Sequence, residues 1–172
     1  MNEEKAYEPL LDIENVLPIL DRISIFAGLS QKQLYKLFRL LEKVRYKAGD
    51  TIFRQGAQPS HIYIVRSGKI KLVVWQQQTP LELVIFEQGA CFGEASVVGI
   101  QPHKGTAFAL TDAELIVLSR NALLSIYKSD LEMFALLILN IAREVCRRLH
   151  QSDEILLHYV HEKYTKKTNP PH

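Results

Sequence analysis

At 172 residues the chain has the length of one domain, large enough to bury a real core. Its hydrophobic share of 47% and charged share of 23% are ordinary for a soluble globular protein, and a net charge of +2 is too small to argue for nucleic acid by itself. The longest apolar stretch, Phe134 to Leu139, is too short for a bilayer, and the start from Met1 to Asp12 is acidic rather than the basic-then-apolar form of a secretory signal.

Residues 2–15 hold five acidic residues against one lysine and read as a loose or helical leader behind a natural start at Met1. Ser30 followed by Gln33 matches a capping box, and Leu34, Leu37, Phe38 and Leu41 recur at helical spacing. From Val44 to Leu118 the signal changes to short strands. Ile62 and Ile64, then Lys69 and Lys71, sit in alternating runs on either side of a Ser67-Gly68 turn. Further strands are predicted over Thr51 to Phe53, Leu81 to Phe86, Thr106 to Leu110 and Glu114 to Leu118. Many short strands with regular turns predict a sandwich or jelly-roll barrel, mainly β with flanking α-helices. After Ser119-Arg120-Asn121 the pattern is helical to about Thr165, and Pro170-Pro171 close it. The units expected are a leader (1–17), a barrel with flanking helices (18–129), a long last helix (130–165) and a tail (166–172).

Within that last helix, Leu131, Ala135, Ile138, Ala142, Val145, Leu149, Ser152, Leu156 and Tyr159 alternate steps of four and three. This is a heptad seam, the period of a left-handed helix pair. The expectation is a two-fold homodimer through the second half of the helix, with the first half, to about Ala142, packing on the chain's own barrel.

Two short segments carry the chemistry. Phe92-Gly93-Glu94-Ala95 is followed by Pro102-His103-Lys104-Gly105-Thr106. Glycine lets backbone come close to a ligand, and amides at the start of a short helix favour an anion. Together they supply the parts that hold a sugar phosphate. With Tyr46-Lys47-Ala48-Gly49-Asp50-Thr51, Phe53-Arg54-Gln55-Gly56, Ile62 to Ile70 and Gly89, the chain resembles the cyclic nucleotide-binding domain family over roughly residues 18–160. That family includes kinase regulatory subunits, channel gating domains and the bacterial catabolite activator.

The resemblance implies a double-stranded β-helix barrel with N-terminal helices and a long C-terminal helix. It also implies a non-catalytic sensor of cyclic AMP or cyclic GMP, with no further cofactor and no metal. By this likeness Glu94 takes the ribose after Gly93, with Phe92 and Ala95 beside it. His103, Lys104, Gly105 and Thr106 form the phosphate segment, and Ser152 lies near the base. The chain departs from the family where an arginine is usual: His103 stands there. Arginine donates two aligned bonds and keeps its charge, whereas a neutral histidine offers one donor. Lys104 should alternate away from His103 on an extended stretch. Ser152 either reads a purine edge or bonds a carbonyl one turn back. Asp153 replaces a small hydroxyl that in the family reaches across the dimer.

Other chemistry finds little in the sequence. His158, His161 and Glu162 read as a solvated helix face, and Cys91 beside Phe92 as a small core hydrophobe. Cys91 and Cys146, far apart in sequence, are expected reduced in a cytoplasmic setting. Thirteen residues after Tyr159 do not make a helix-turn-helix unit, so no direct DNA binding and no membrane role are expected, and Lys163, Lys166 and Lys167 read as a solubilising end. The output is then expected to pass through an unidentified downstream protein, unless the chain serves as a bare sensor. Two alternatives stay open: a domain that keeps the fold but binds no nucleotide, acting in protein interaction or dimerisation, and a receptor for another anionic metabolite.

Overall fold

In the computed structural model residues 5–20 and 23–168 are described, apart from the side chains of Leu17, Tyr159 and residues 162–168. The expectations for the tail, for Glu162, Lys163, Lys166 and Lys167 and for the Tyr159 side chain lie outside these. Among the described residues fifteen elements follow one another, most of them short. They are β1 (Glu8–Pro9), α1 (Ile13–Leu20), a 3-10 turn (Ser24–Phe26), α2 (Gln31–Phe38), β2 (Leu41–Tyr46), β3 (Thr51–Phe53), β4 (His61–Ser67), β5 (Ile70–Gln76) and β6 (Thr79–Phe86). Then come β7 (Cys91–Phe92), α3 (Glu94–Gly99), β8 (Thr106–Ala109), β9 (Ala113–Ser119), α4 (Arg120–Ser129) and α5 (Leu131–Thr168).

The strands form two antiparallel sheets, one in the order β1-β2-β9-β4-β7 and one in the order β3-β8-β5-β6. They enclose an interior of Val44, Tyr46, Tyr63, Val65, Phe86, Phe92, Ala107, Leu115 and Val117. The five-stranded sheet is covered on its other face as well. There Ile62, Ile64, Ile116 and Leu118 pack with Leu20, Leu37, Ile126, Met133, Leu137 and Ile141 of the helices. Burial on both faces explains why Ile62-Tyr63-Ile64-Val65 and Leu115-Ile116-Val117-Leu118 are unbroken apolar runs: alternate residues feed two different cores.

Caps fix the helix boundaries. Ser30 and Gln33 form the reciprocal capping box at the start of α2, as their spacing predicts. A short α4 precedes the last helix, because the helical stretch expected from Arg120 onward is interrupted at Asp130, whose backbone is non-helical. Its carboxylate accepts from the Met133 amide at 3.0 Å and so restarts the chain as α5. The leader expected to be loose or helical is tied down at its end. Glu8 and Pro9 pair with β2, Tyr7 stacks on His61 at 4.6 Å, and Leu10 and Val16 are buried.

The seam of α5 does not lie where the sequence placed its first half. The face on the chain's own core is Met133, Leu137, Asn140 and Ile141, with Asn140 donating to the Ala27 carbonyl at 2.8 Å. Leu131, Ala135 and Ala142 are exposed, and Ile138 and Val145 are half-buried. A helix can carry two apolar stripes, and here the longer heptad stripe is left partly open, with Ile138 and Val145 touching the core from its edge. Beyond Val145 it continues through Leu149 and Leu156, 59% and 60% exposed.

Candidate functional site

Gly93 ends β7 in a left-handed conformation at φ +82, where a Cβ would come within 3.0 Å of the His61 carbonyl. Only glycine fits that turn without strain. The turn swings Glu94 into the first position of α3 and points its side chain inward, leaving it 1% exposed. Phe92 is buried in the barrel, whereas Ala95 is exposed.

Glu94 is buried but not alone. From α5, Arg148 brings its Nη2 to 2.6 Å from Glu94 Oε1, a charge contact rather than an aligned hydrogen bond, so that oxygen keeps hydrogen-bonding capacity. The same Nη2 donates to the Cys91 carbonyl at 2.8 Å, and Nε lies 3.5 Å from Glu144. The guanidinium also sits 5.6 Å from the centre of the Phe86 ring, within range of a cation–π contact. Glu144 in turn accepts from Ser24 and pairs with Arg147. Burial pushes the Glu94 carboxyl above the ordinary carboxylate range, and Arg148 offsets part of that shift. Cys91, whose thiol lies 3.8 Å from Glu94 Oε2, is pushed well up by burial, with Glu94 adding to the shift, so it has little thiolate character.

The segment expected to hold a phosphate is arranged differently. His103 is buried and its ring stacks on Phe53 at 3.7 Å and 9°. Burial holds its pKa below the usual value, so the ring is neutral near pH 7. Its backbone is pinned at both ends, the amide donating to Ala57 and the carbonyl accepting from Gly56. Lys104 points the other way and is exposed, as alternation requires. A Cβ on Gly105 would lie 2.9 Å from the Val73 carbonyl, so the segment passes close against β5. The buried Thr106 hydroxyl accepts from the Gln55 amide at 3.0 Å.

The structure therefore brings Phe92, Gly93 and Glu94 together with the first turn of α3, and joins them to His103 by a file of rings. Phe53 contacts His103, Phe92 lies 6.0 Å from Phe53, and Phe86 lies 5.0 Å from Phe92, with Arg148 beyond it. Ser152 is not brought in: it is exposed and donates to the Arg148 carbonyl four residues back. Arg148 was missed at the sequence level. Its only signal there is a Arg147-Arg148 pair beside an apolar seam, which reads equally as surface charge.

Among the described residues no group of three or more His, Cys, Asp and Glu could hold a metal ion, and no helix is long and apolar enough to cross a membrane. The profile of the family described as cyclic nucleotide-binding domain matches residues 43–130. The chain is 35% identical over 82 residues to a cGMP-dependent protein kinase of Drosophila melanogaster, covering 46% of this chain and 9% of the kinase. It is 29% identical over 133 residues to a CRP-like cAMP-activated global transcriptional regulator of Mycobacterium tuberculosis, covering 75% of this chain and 58% of that protein. Both relatives are thus longer than the part this chain spans. A solved cyclic nucleotide-binding domain from Methylobacillus flagellatus superposes with a TM-score of 0.78 at 16% identity, covering 90% of this chain and 88% of the other, which is a likeness of fold.

Proposed function

The chain belongs to the cyclic nucleotide-binding domain family, and from that premise we propose that it is a non-catalytic regulatory module that binds cyclic AMP or cyclic GMP and signals through α5. The observation that carries this is the buried Glu94, which has an oxygen free of any aligned hydrogen bond and is held opposite an arginine of the long helix. A carboxylate in that position accepts from ribose hydroxyls, and doing so weakens its claim on Arg148. Ligand binding and the seating of α5 on the barrel are then two uses of one charge pair. The amides at the start of α3 lie next to the same glutamate. His103 and Gly105 lie on the phosphate side, with Lys104 at the rim as a point cation. The names of the relatives include both cyclic AMP and cyclic GMP, so either purine is a candidate.

A homodimer through the open stripe of α5 belongs to the same proposal. Exposed apolar residues at heptad spacing, Leu131, Leu149 and Leu156 among them, call for a partner helix of the same period, and a two-fold pair is the commonest solution. Ser152, on that stripe, reaches a base only if the ligand is held between barrel and helix pair.

Titration calorimetry with each nucleotide tests the proposal. Saturable binding is expected, weakened about 10- to 100-fold by Glu94→Ala through loss of a charge-assisted hydrogen bond. Absence of heat at millimolar nucleotide would overturn it.

A further inference from the structure

The heptad letters of α5 follow from its open stripe. Ala135, Ala142, Leu149 and Leu156 take the a positions, and Leu131, Ile138, Val145 and Ser152 the d positions. Arg148 is then a g residue and Asp153 an e residue. In a parallel, in-register pair the g residue of one helix faces the e residue five places later on the other, where opposite charges attract. Arg148 and Asp153 are five apart and of opposite charge.

The structure prepares one half of that pair. Within its own chain Arg148 uses Nη2 on Glu94 and the Cys91 carbonyl, and Nε on Glu144. Nη1 takes no part in these contacts, and the side chain keeps 32% of its surface open. Asp153 is exposed and has no ion pair among the described residues. We infer that the partner subunit's Asp153 binds the open side of Arg148, so that each Glu94 is linked through one guanidinium to the other chain. The inference rests on the dimer proposed above and names its orientation, since an antiparallel pair would not set g against e. Asp153 acts here as a positioning residue: sharing Arg148 with a third carboxylate, beside Glu94 and Glu144, loosens its hold on Glu94 and leaves that group freer for a ribose.

Sedimentation equilibrium of the full chain tests the pairing. The native protein, Asp153→Asn and Asp153→Arg are compared at 0.1 M and 1 M salt. The exposed site makes both variants compatible with the fold. Asp153→Asn is expected to raise the dimer dissociation constant roughly three- to tenfold at low salt, and Asp153→Arg more, with both differences shrinking at 1 M. With cyclic AMP and cyclic GMP as probes, Asp153→Asn weakens binding in the dimer and has no effect in a monomer made by Leu149→Asp with Leu156→Asp. A dimer indifferent to both substitutions overturns the inference and leaves the dimer standing, and a monomeric native protein overturns both. If neither nucleotide binds, the functional proposal fails while the salt-dependent dimer shift still decides the pairing.

Discussion

At the proposed site, His103 is a residue that suits the fold better than it suits a phosphate. Its neutral ring is well placed on Phe53 and poorly suited to a phosphate, which favours a charged fork. A guanidinium is also planar and can stack on the same ring. His103→Arg should therefore keep the packing and tighten cyclic nucleotide binding about 10- to 100-fold by calorimetry. The same burial makes stability depend on pH. The folded imidazole is depressed below its unfolded value of about 6.5, so the unfolded chain binds the proton more readily. The contribution is complete above that value and is lost as pH falls through it toward the lower folded one. On acidification from pH 7.5 to 5.5 the native protein should lose more melting temperature than His103→Phe, which keeps the stack and cannot titrate. His61, also depressed by burial, is present in both and cancels in the comparison.

Strands and caps were largely legible in the sequence, because alternation and capping act over a few residues. Thr51 to Phe53 and the capping box at Ser30 are local signals, and the structure has both. The sequence separates the units at 129/130, but not the cause: helical propensity on either side hides a break that depends on the Asp130 carboxylate turning back to the Met133 amide. The stripe on α5 was seen, but its facing was not. Periodicity says that a stripe is apolar, and the other stripe through Met133, Leu137 and Ile141 is apolar too. Which of two stripes meets the barrel is decided by tertiary packing. At the site, Gly93 and Glu94 announced themselves through a local turn. Arg148 lies 54 residues beyond Glu94 and is brought beside it only by the fold. Likewise, nothing within the Pro102-His103-Lys104 segment reveals that Phe53 waits for the imidazole.

For the whole molecule, two cores share one sheet, and the helix that carries the open stripe belongs to only one of them. Among the described residues its distal half adds none to the buried core, so disrupting that stripe should spare the barrel. Leu149→Asp with Leu156→Asp is expected to turn a dimer into a monomer by sedimentation, with the melting temperature of the monomer unit changed little. Precipitation or loss of the cooperative transition would show instead that the distal helix is needed for folding. In the proposed parallel pair both barrels would sit at one end of the helices.

The file of rings from His103 through Phe53, Phe92 and Phe86 to Arg148 has a mechanical consequence. Close-packed aromatics are nearly incompressible, so they pass on a displacement instead of absorbing it. An anion that nudges the imidazole at one end would be felt by the guanidinium at the other, although no loop unfolds and no backbone bond breaks between them. Softening the column at its middle, rather than at either contact with ligand or helix, would leave a protein that grips its effector and stays silent.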